Sequence, residues 1–134
     1  MEVGFTGSRD GINAKQQNEI AEFLTKFKDH IKCVHHGDCV GADVAFHNIA
    51  KDLGISISIH PPKDSKLRAY CESCGSGKMF AEKDFLQRNH KIVDECGILI
   101  ACPKTNTEQK RSGTWATIRY ARKKKKQLKI FAGE

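Results

Sequence analysis

The feature that most constrains this chain is an alternation: short apolar runs, each ending in a glycine-punctuated turn, take turns with amphipathic helical stretches. Residues 2–6 read as a strand that stops at Gly7-Ser8-Arg9-Asp10-Gly11. Ile20, Phe23, Leu24, Phe27 and Ile31 then recur at three- and four-residue spacing, which predicts a helix over roughly residues 13–30 with Asn13 as N-cap. The plan repeats with a strand over 31–35, the turn Gly37-Asp38-Cys39-Val40-Gly41, and a helix carrying Ala42, Phe46, Ile49 and Leu53 that ends at Gly54. Ile55, Ile57 and Ile59 alternate with serines as a third strand, which Pro61-Pro62 stops. After a long polar connection, a helical pattern resumes at Glu82 with Phe85, Leu86, Ile92 and Val93 on its apolar face. Residues 97–102 form a continuous apolar strand, Gly113-Thr114 opens a helix with Trp115, Ile118 and Ala121 inward, and Leu128, Ile130 and Phe131 mark a last strand.

Five strands alternating with four helices imply an α/β, Rossmann-like three-layer fold around a five-stranded parallel sheet. With right-handed crossovers, and the long connection carrying the chain past the first strand, the strand order is 3-2-1-4-5. The 134 residues suit one domain spanning 1–134. In open sheets of this kind ligands bind beyond the strand carboxyl ends where the order reverses. That rule selects two loops before any motif is considered, 6–11 and 103–114.

Both loops are rich in small residues, donors and fixed positive charge. Gly7, Ser8 and Arg9 stand in one; Arg111, Ser112, Gly113 and Thr114 stand in the other. Glycine lets backbone amides approach an anion, and a helix start adds unpaired donors, so this composition fits a phosphate. The bland reading is a turn at Gly113 and a helix cap at Thr114. Gly37, Asp38 and Asp43 form a third loop at the same edge, where the carboxylates suit ribose hydroxyls or a base, or serve to cap the helix and hold the turn. Gly75-Ser76-Gly77-Lys78 lacks the upstream glycine of a Walker loop.

Taken together, Gly7-Ser8-Arg9, the run His36-Gly37-Asp38-Cys39-Val40-Gly41-Ala42-Asp43 with His47, and Arg111-Ser112-Gly113-Thr114-Trp115-Ala116-Thr117 resemble the SLOG superfamily. That group joins the Smf/DprA DNA-processing proteins to the Lonely Guy phosphoribohydrolases; the resemblance is to its short, single-domain YspA-related branch and covers nearly the whole chain. It implies binding of a nucleotide or nucleotide-derived ligand with the phosphate on the Gly-Thr loop, as sensor or enzyme, and a homodimer or higher homo-oligomer. In the Lonely Guy enzymes an arginine and a glutamate serve N-glycosidic cleavage. Arg88 falls where that arginine belongs, but Thr117 occupies the glutamate's place, and a neutral hydroxyl is poorly suited to activating water. A nucleoside 5′-monophosphate N-glycosidase therefore needs a relocated carboxylate, for which Glu82, Asp84, Asp38 and Asp43 are the candidates. Glu82 and Asp84 also suit plain first-turn stabilisation of a helix.

The formal net charge is +7, from 23 basic and 16 acidic residues, and residues 119–129 hold seven bases and no acid. The rest of the chain is neutral. The basic segment suits the end of a helix, and as an alternative it suits single-stranded nucleic acid. Without an apolar run long enough to span a bilayer or a signal-like start, a cytoplasmic protein with no membrane partner is expected. No cofactor is required by these motifs. Cys71-x-x-Cys74 has the spacing of half a zinc site, to be completed by His60, His35, His36 or a second chain.

Overall fold

A computed structural model describes residues 1–134. The elements run β1 (Glu2–Gly7), α1 (Ala14–Phe27), β2 (Cys33–His36), α2 (Ala42–Asp52), β3 (Ile57–Ile59), α3 (Phe85–Glu95), β4 (Ile98–Cys102), α4 (Gly113–Lys123) and β5 (Gln127–Ile130). All four strand pairings are parallel, and the order is β3-β2-β1-β4-β5. The reversal of direction expected from the sequence thus falls between β1 and β4.

Alternation along the strands divides the core in two. Val3, Phe5, Val34, Ile57, Ile59 and Ile100 pack against α1 and α2 in one cluster of 14 buried residues. Phe5 and Phe46 stack at its centre, their ring centroids 4.3 Å apart. On the opposite face, Leu99 and Ala101 meet Ile92 and Val93 of α3 and Trp115, Ile118 and Ala121 of α4. That second face turns polar beyond β1, where β2, β3 and the residue following β3 present Cys33, His35, Ser58 and His60, all buried.

Helix α1 begins where the sequence places it. The Asn13 side chain accepts from the Gln16 amide at 2.8 Å, and the Gln16 side chain accepts from the Asn13 amide at 3.0 Å, a reciprocal cap. Asn13→Ala is expected to lower stability by about 1 kcal/mol, read from urea unfolding midpoints. The helical pattern ends earlier than its apolar spacing suggests, with residues 28–30 tightened into a 3-10 turn.

Three local expectations are corrected. Helix α3 starts at Phe85 rather than Glu82, because Lys83 is drawn into backbone bonds with Pro61 and Lys63. Leu86 is 62% exposed and lies outside the apolar stripe. The connection after β3 is not a free loop: residues 74–80 run beside β3, with Cys74 and Ile57 exchanging both backbone bonds, Ile59 donating to Lys78 and Phe80 donating to Ile59. This strap saturates an otherwise open sheet edge. No helix is long and apolar enough to cross a membrane.

Candidate functional site

At the carboxyl ends of β1 and β4 a cleft of about 740 Å³ opens, within the range of small-ligand sites. Its walls come from the loop after β1, the loop after β2, the start of α3 and the loop leading into α4.

The first wall is a turn held from within. Ser8 Oγ accepts from the Asp10 amide at 3.1 Å, and its carbonyl accepts from the Gly11 and Ala42 amides, both at 3.0 Å. The amides of Ser8 and Arg9 are left without partners. Across the cleft Ser112 caps α4, its Oγ accepting from the Trp115 amide at 3.2 Å and its carbonyl from the Ala116 amide at 2.9 Å. Ser112, not Thr114, is therefore the cap, and the Gly113 and Thr114 amides stay free at the positive end of the helix dipole. Two pairs of unpaired backbone donors thus belong to one cleft.

Arg88 reaches the same space from α3. It is only 6% exposed, yet no carboxylate pairs with it. Its Nη1 donates to the Gly37 carbonyl and, at 3.3 Å, to the His60 carbonyl, while Nε donates to Asn89 Oδ1 at 2.7 Å. Gly37 is needed here for space, since a methyl group in its place would collide with the guanidinium. Both Nη atoms also lie 3.6 Å from Cys39 Sγ. A buried charge whose hydrogen-bond partners are all neutral is costly unless an anion completes its shell. Arg9 and Arg88 flank Phe85, with guanidinium carbons 4.5 and 5.5 Å from the ring centroid. Arg111 is exposed at the rim, and Lys104 there pairs with Asp10 at 2.5 Å.

Among the candidate carboxylates, Asp43 alone lines this cleft. Its Oδ2 accepts from the Cys39 amide at 3.0 Å. Burial pushes its carboxyl up to about 6, against the pull of Arg88. A folded-state value above the ordinary 3.8 means that the protonated form is favoured by folding, so Asp43 costs stability once pH rises through that window. Asp43→Asn is accordingly expected to raise stability at pH 7.5 by about 1–3 kcal/mol, and the gain should vanish near pH 4 in paired denaturation curves.

Other sequence candidates stand elsewhere. Asp38 is fully buried away from the cleft, with Oδ2 accepting from Arg68 Nε at 2.8 Å and Oδ1 from the Cys71 amide at 2.7 Å; it pins the connection after β3. Thr117 donates from Oγ1 back to the Gly113 carbonyl at 2.9 Å, within its own helix. Glu82 and Asp84 are exposed outside the cleft, Asp84 as the residue preceding α3. Cys71 groups with His36 and His47, whereas Cys74 belongs to no cluster of three potential metal ligands and its thiol meets the Glu72 carbonyl at 3.6 Å.

Sequence reasoning did not select Cys39, Phe85, Asn89 or Trp115 as cleft residues. Position relative to Arg88 identifies Phe85 and Asn89, which lie one helical turn before it and one residue after it. Trp115 sits on an apolar stripe, and nothing in the sequence signals that its buried indole N–H lacks a partner.

This fold and cleft define a Rossmann-like α/β domain with a donor-rich switch-point site. No protein-family model and no curated protein matches the chain. Solved structures share its architecture. The molybdenum cofactor binding protein from the phototrophic bacterium Rippkaea orientalis aligns with TM-score 0.74 at 15% identity, over 99% of this chain and 77% of that one. DNA processing protein A (DprA) from Streptococcus pneumoniae aligns with TM-score 0.67 at 19% identity over 98% of this chain, which spans 49% of its length. The structural-genomics target TM1055 gives 0.64 at 14% identity over 95% of this chain and 71% of that one. Likeness at such identity speaks to the fold alone, the α/β Rossmann-like one with strand order 3-2-1-4-5 that the sequence alternation implies.

Proposed function

We propose that this protein binds a nucleotide or nucleotide-derived ligand, with a phosphate held between the Gly113-Thr114 amides and the Ser8-Arg9 amides. The observation that carries the reading is Arg88, a buried guanidinium without a carboxylate partner, in a cleft that also holds four unpaired backbone donors. An anion supplies what each of these groups lacks. Asp43 and Asn89 are suited to sugar hydroxyls or a base edge. Two of the fold relatives are described as a cofactor-binding and a DNA-processing protein, which is compatible with a nucleotide-like ligand.

Trp115, the only tryptophan, lines the cleft and gives an intrinsic signal. Titrating nucleoside mono- and diphosphates is expected to change its emission and raise the melting temperature. Arg111→Ala should weaken the response about three- to tenfold, as expected for an exposed rather than a buried phosphate contact. No response to any phosphorylated nucleoside would rule the reading out.

A second reading is favoured by one group. Asp43, with its carboxyl near 6 on the cleft wall, has the proton affinity of an acid–base catalyst at neutral pH. If it takes the part for which Thr117 is unsuited, the protein cleaves nucleoside 5′-monophosphates. Base release that is lost in Asp43→Asn while binding persists would support this; binding without release leaves the first reading alone.

A further inference from the structure

The polar face of β2 and β3, away from the nucleotide cleft, carries chemistry that the proposed ligand does not use. Two groups of three potential metal ligands, each with two buried residues and one half-buried, stand in the fold: His36, His47 and Cys71 on the α2 side, and Glu2, Cys33 and His35 on the other. In each, one donor atom per residue lies within 4.8 Å of the others.

Hydrogen bonding separates them. His36 Nδ1 accepts from the Asp38 amide at 3.0 Å, so in the neutral ring Nε2 carries the proton and donates it to His47 Nδ1 at 2.9 Å. Ligation through Nε2 would require an imidazolate. The first cluster is a satisfied histidine pair beside a thiol.

In the second cluster both neighbours of the ligand atoms are of the kind that metal sites use. His35 Nε2 faces Glu2 Oε1 at 2.7 Å, and His35 Nδ1 faces His60 Nε2 at 2.8 Å. A metal-bound imidazole needs an acceptor for its other N–H, and His60 is placed to be one. His60 is stacked on Phe80 with centroids 4.1 Å apart, and its buried Nδ1 has no partner. No neighbour therefore fixes its tautomer, and the two rings are free to reverse the direction of their shared bond. Cys33 Sγ lies 3.1 Å from Ser58 Oγ, which already accepts from the Lys78 amide at 3.0 Å and so has its own hydrogen to give to a thiolate.

The scaffold is rigid. Glu2 pairs directly with Cys33 across β1 and β2, and His35 follows two residues later on the same face, opposite Gly4. Zinc bonds of about 2.0–2.3 Å need donor atoms roughly 3–4 Å apart, which small rotations of these side chains supply. Access is through Glu2, whose side chain is 30% exposed.

We propose that Glu2 Oε1, Cys33 Sγ and His35 Nε2 form a three-ligand divalent-metal site of the zinc type, with its fourth position left to water. Binding releases the Cys33 thiol proton and moves the His35 proton from Nε2 to Nδ1; from there it is donated to His60 Nε2, whose own proton passes to the unpartnered His60 Nδ1. The mixed sulfur, nitrogen and oxygen donor set selects zinc or cobalt over magnesium or calcium. The site stands apart from the Cys71-x-x-Cys74 spacing and from the nucleotide cleft, and it does not depend on the reading proposed for that cleft.

The test is titration of the chelator-treated protein with cobalt(II), followed by displacement with zinc(II). The expected result is one equivalent bound, with a sulfur-to-cobalt charge-transfer band and visible bands of tetrahedral cobalt. Cys33→Ser should remove the charge-transfer band. His60→Phe, which keeps the stack on Phe80 but removes the acceptor, should weaken binding about 10–100-fold. Cys71→Ser and Cys74→Ser should bind as the parent does. Absence of binding, a charge-transfer band that survives Cys33→Ser, or one that disappears in Cys71→Ser would each overturn the proposal. Circular dichroism of every variant separates loss of the site from loss of the fold.

Discussion

Arg88→Met is expected to abolish the nucleotide-induced fluorescence and melting response at ligand concentrations that saturate the parent protein. Methionine keeps much of the apolar stem but removes the charge and the planar fork. Charge-assisted hydrogen bonds are worth about 1.5–3 kcal/mol each, so the loss of one or two corresponds to a roughly 10- to 10⁴-fold drop in affinity. Arg88→Lys retains the charge without the fork geometry and should fall between the two. The carbonyls of Gly37 and His60 lose their donor in the methionine variant, which should lower stability by about 1–3 kcal/mol. The domain should still fold, since the stacked Phe5–Phe46 core lies on the other side of the sheet. An unchanged binding response in a folded Arg88→Met protein would mean that the anion site lies elsewhere.

The second large effect is expected from one methyl group. Gly41 has φ +96° and ψ −125°, a conformation that side-chain-bearing residues avoid, and an added Cβ would stand 2.1 Å from the Arg9 carbonyl oxygen. The loops after β1 and β2 meet at this point, through the bond from the Ala42 amide to Ser8. Gly41→Ala therefore combines backbone strain with a clash against main chain that cannot rotate away. A cost of about 3 kcal/mol or more is expected, a fall in melting temperature of roughly 10 °C, together with loss of ligand response as the two loops separate. Gly113→Ala is the matching control. Nothing lies within 4 Å of a Cβ built there, and its stability should hardly change.

Much of the fold is legible in the residues because its signals are periodic. The alternation of Ile55, Ile57 and Ile59, the helical spacing of Ile20 and Leu24, and the capping polarity of Asn13 each act over a few residues, so local pattern and global topology agree. The strap along β3 is different. Its contacts are backbone bonds made by residues 74–80 in a stretch rich in glycine, serine and cysteine, with no apolar period to announce them. Leu86 illustrates the same limit, since one exposed leucine cannot be told from a buried one by type alone.

The cleft divides in the same way. Gly7, Ser8, Arg9, Ser112, Gly113 and Thr114 converge because strand order alone brings their loops together. Asp38 and Asp43, five residues apart in one motif, take different partners. Asp38 takes positive φ (+56°) and is consumed by Arg68 and Cys71, whereas Asp43 sits in the first turn of α2 and lines the cleft. Only the path of the backbone decides between two such carboxylates. The basic run at 119–129 supplies the whole net charge, yet Arg119 pairs with Glu108 at 2.7 Å and none of the run lines the cleft.

The central claim, a phosphorylated nucleoside held at the β1–β4 switch point, is tested most directly by an amide proton–nitrogen correlation spectrum of isotope-labelled protein titrated with nucleoside 5′-monophosphates. The expected result is that the amide signals of Ser8, Arg9, Gly113 and Thr114 shift together and saturably, with smaller changes at Arg88 and Asp43. Shifts confined to residues 119–129, or no shifts at saturating nucleotide, would contradict it.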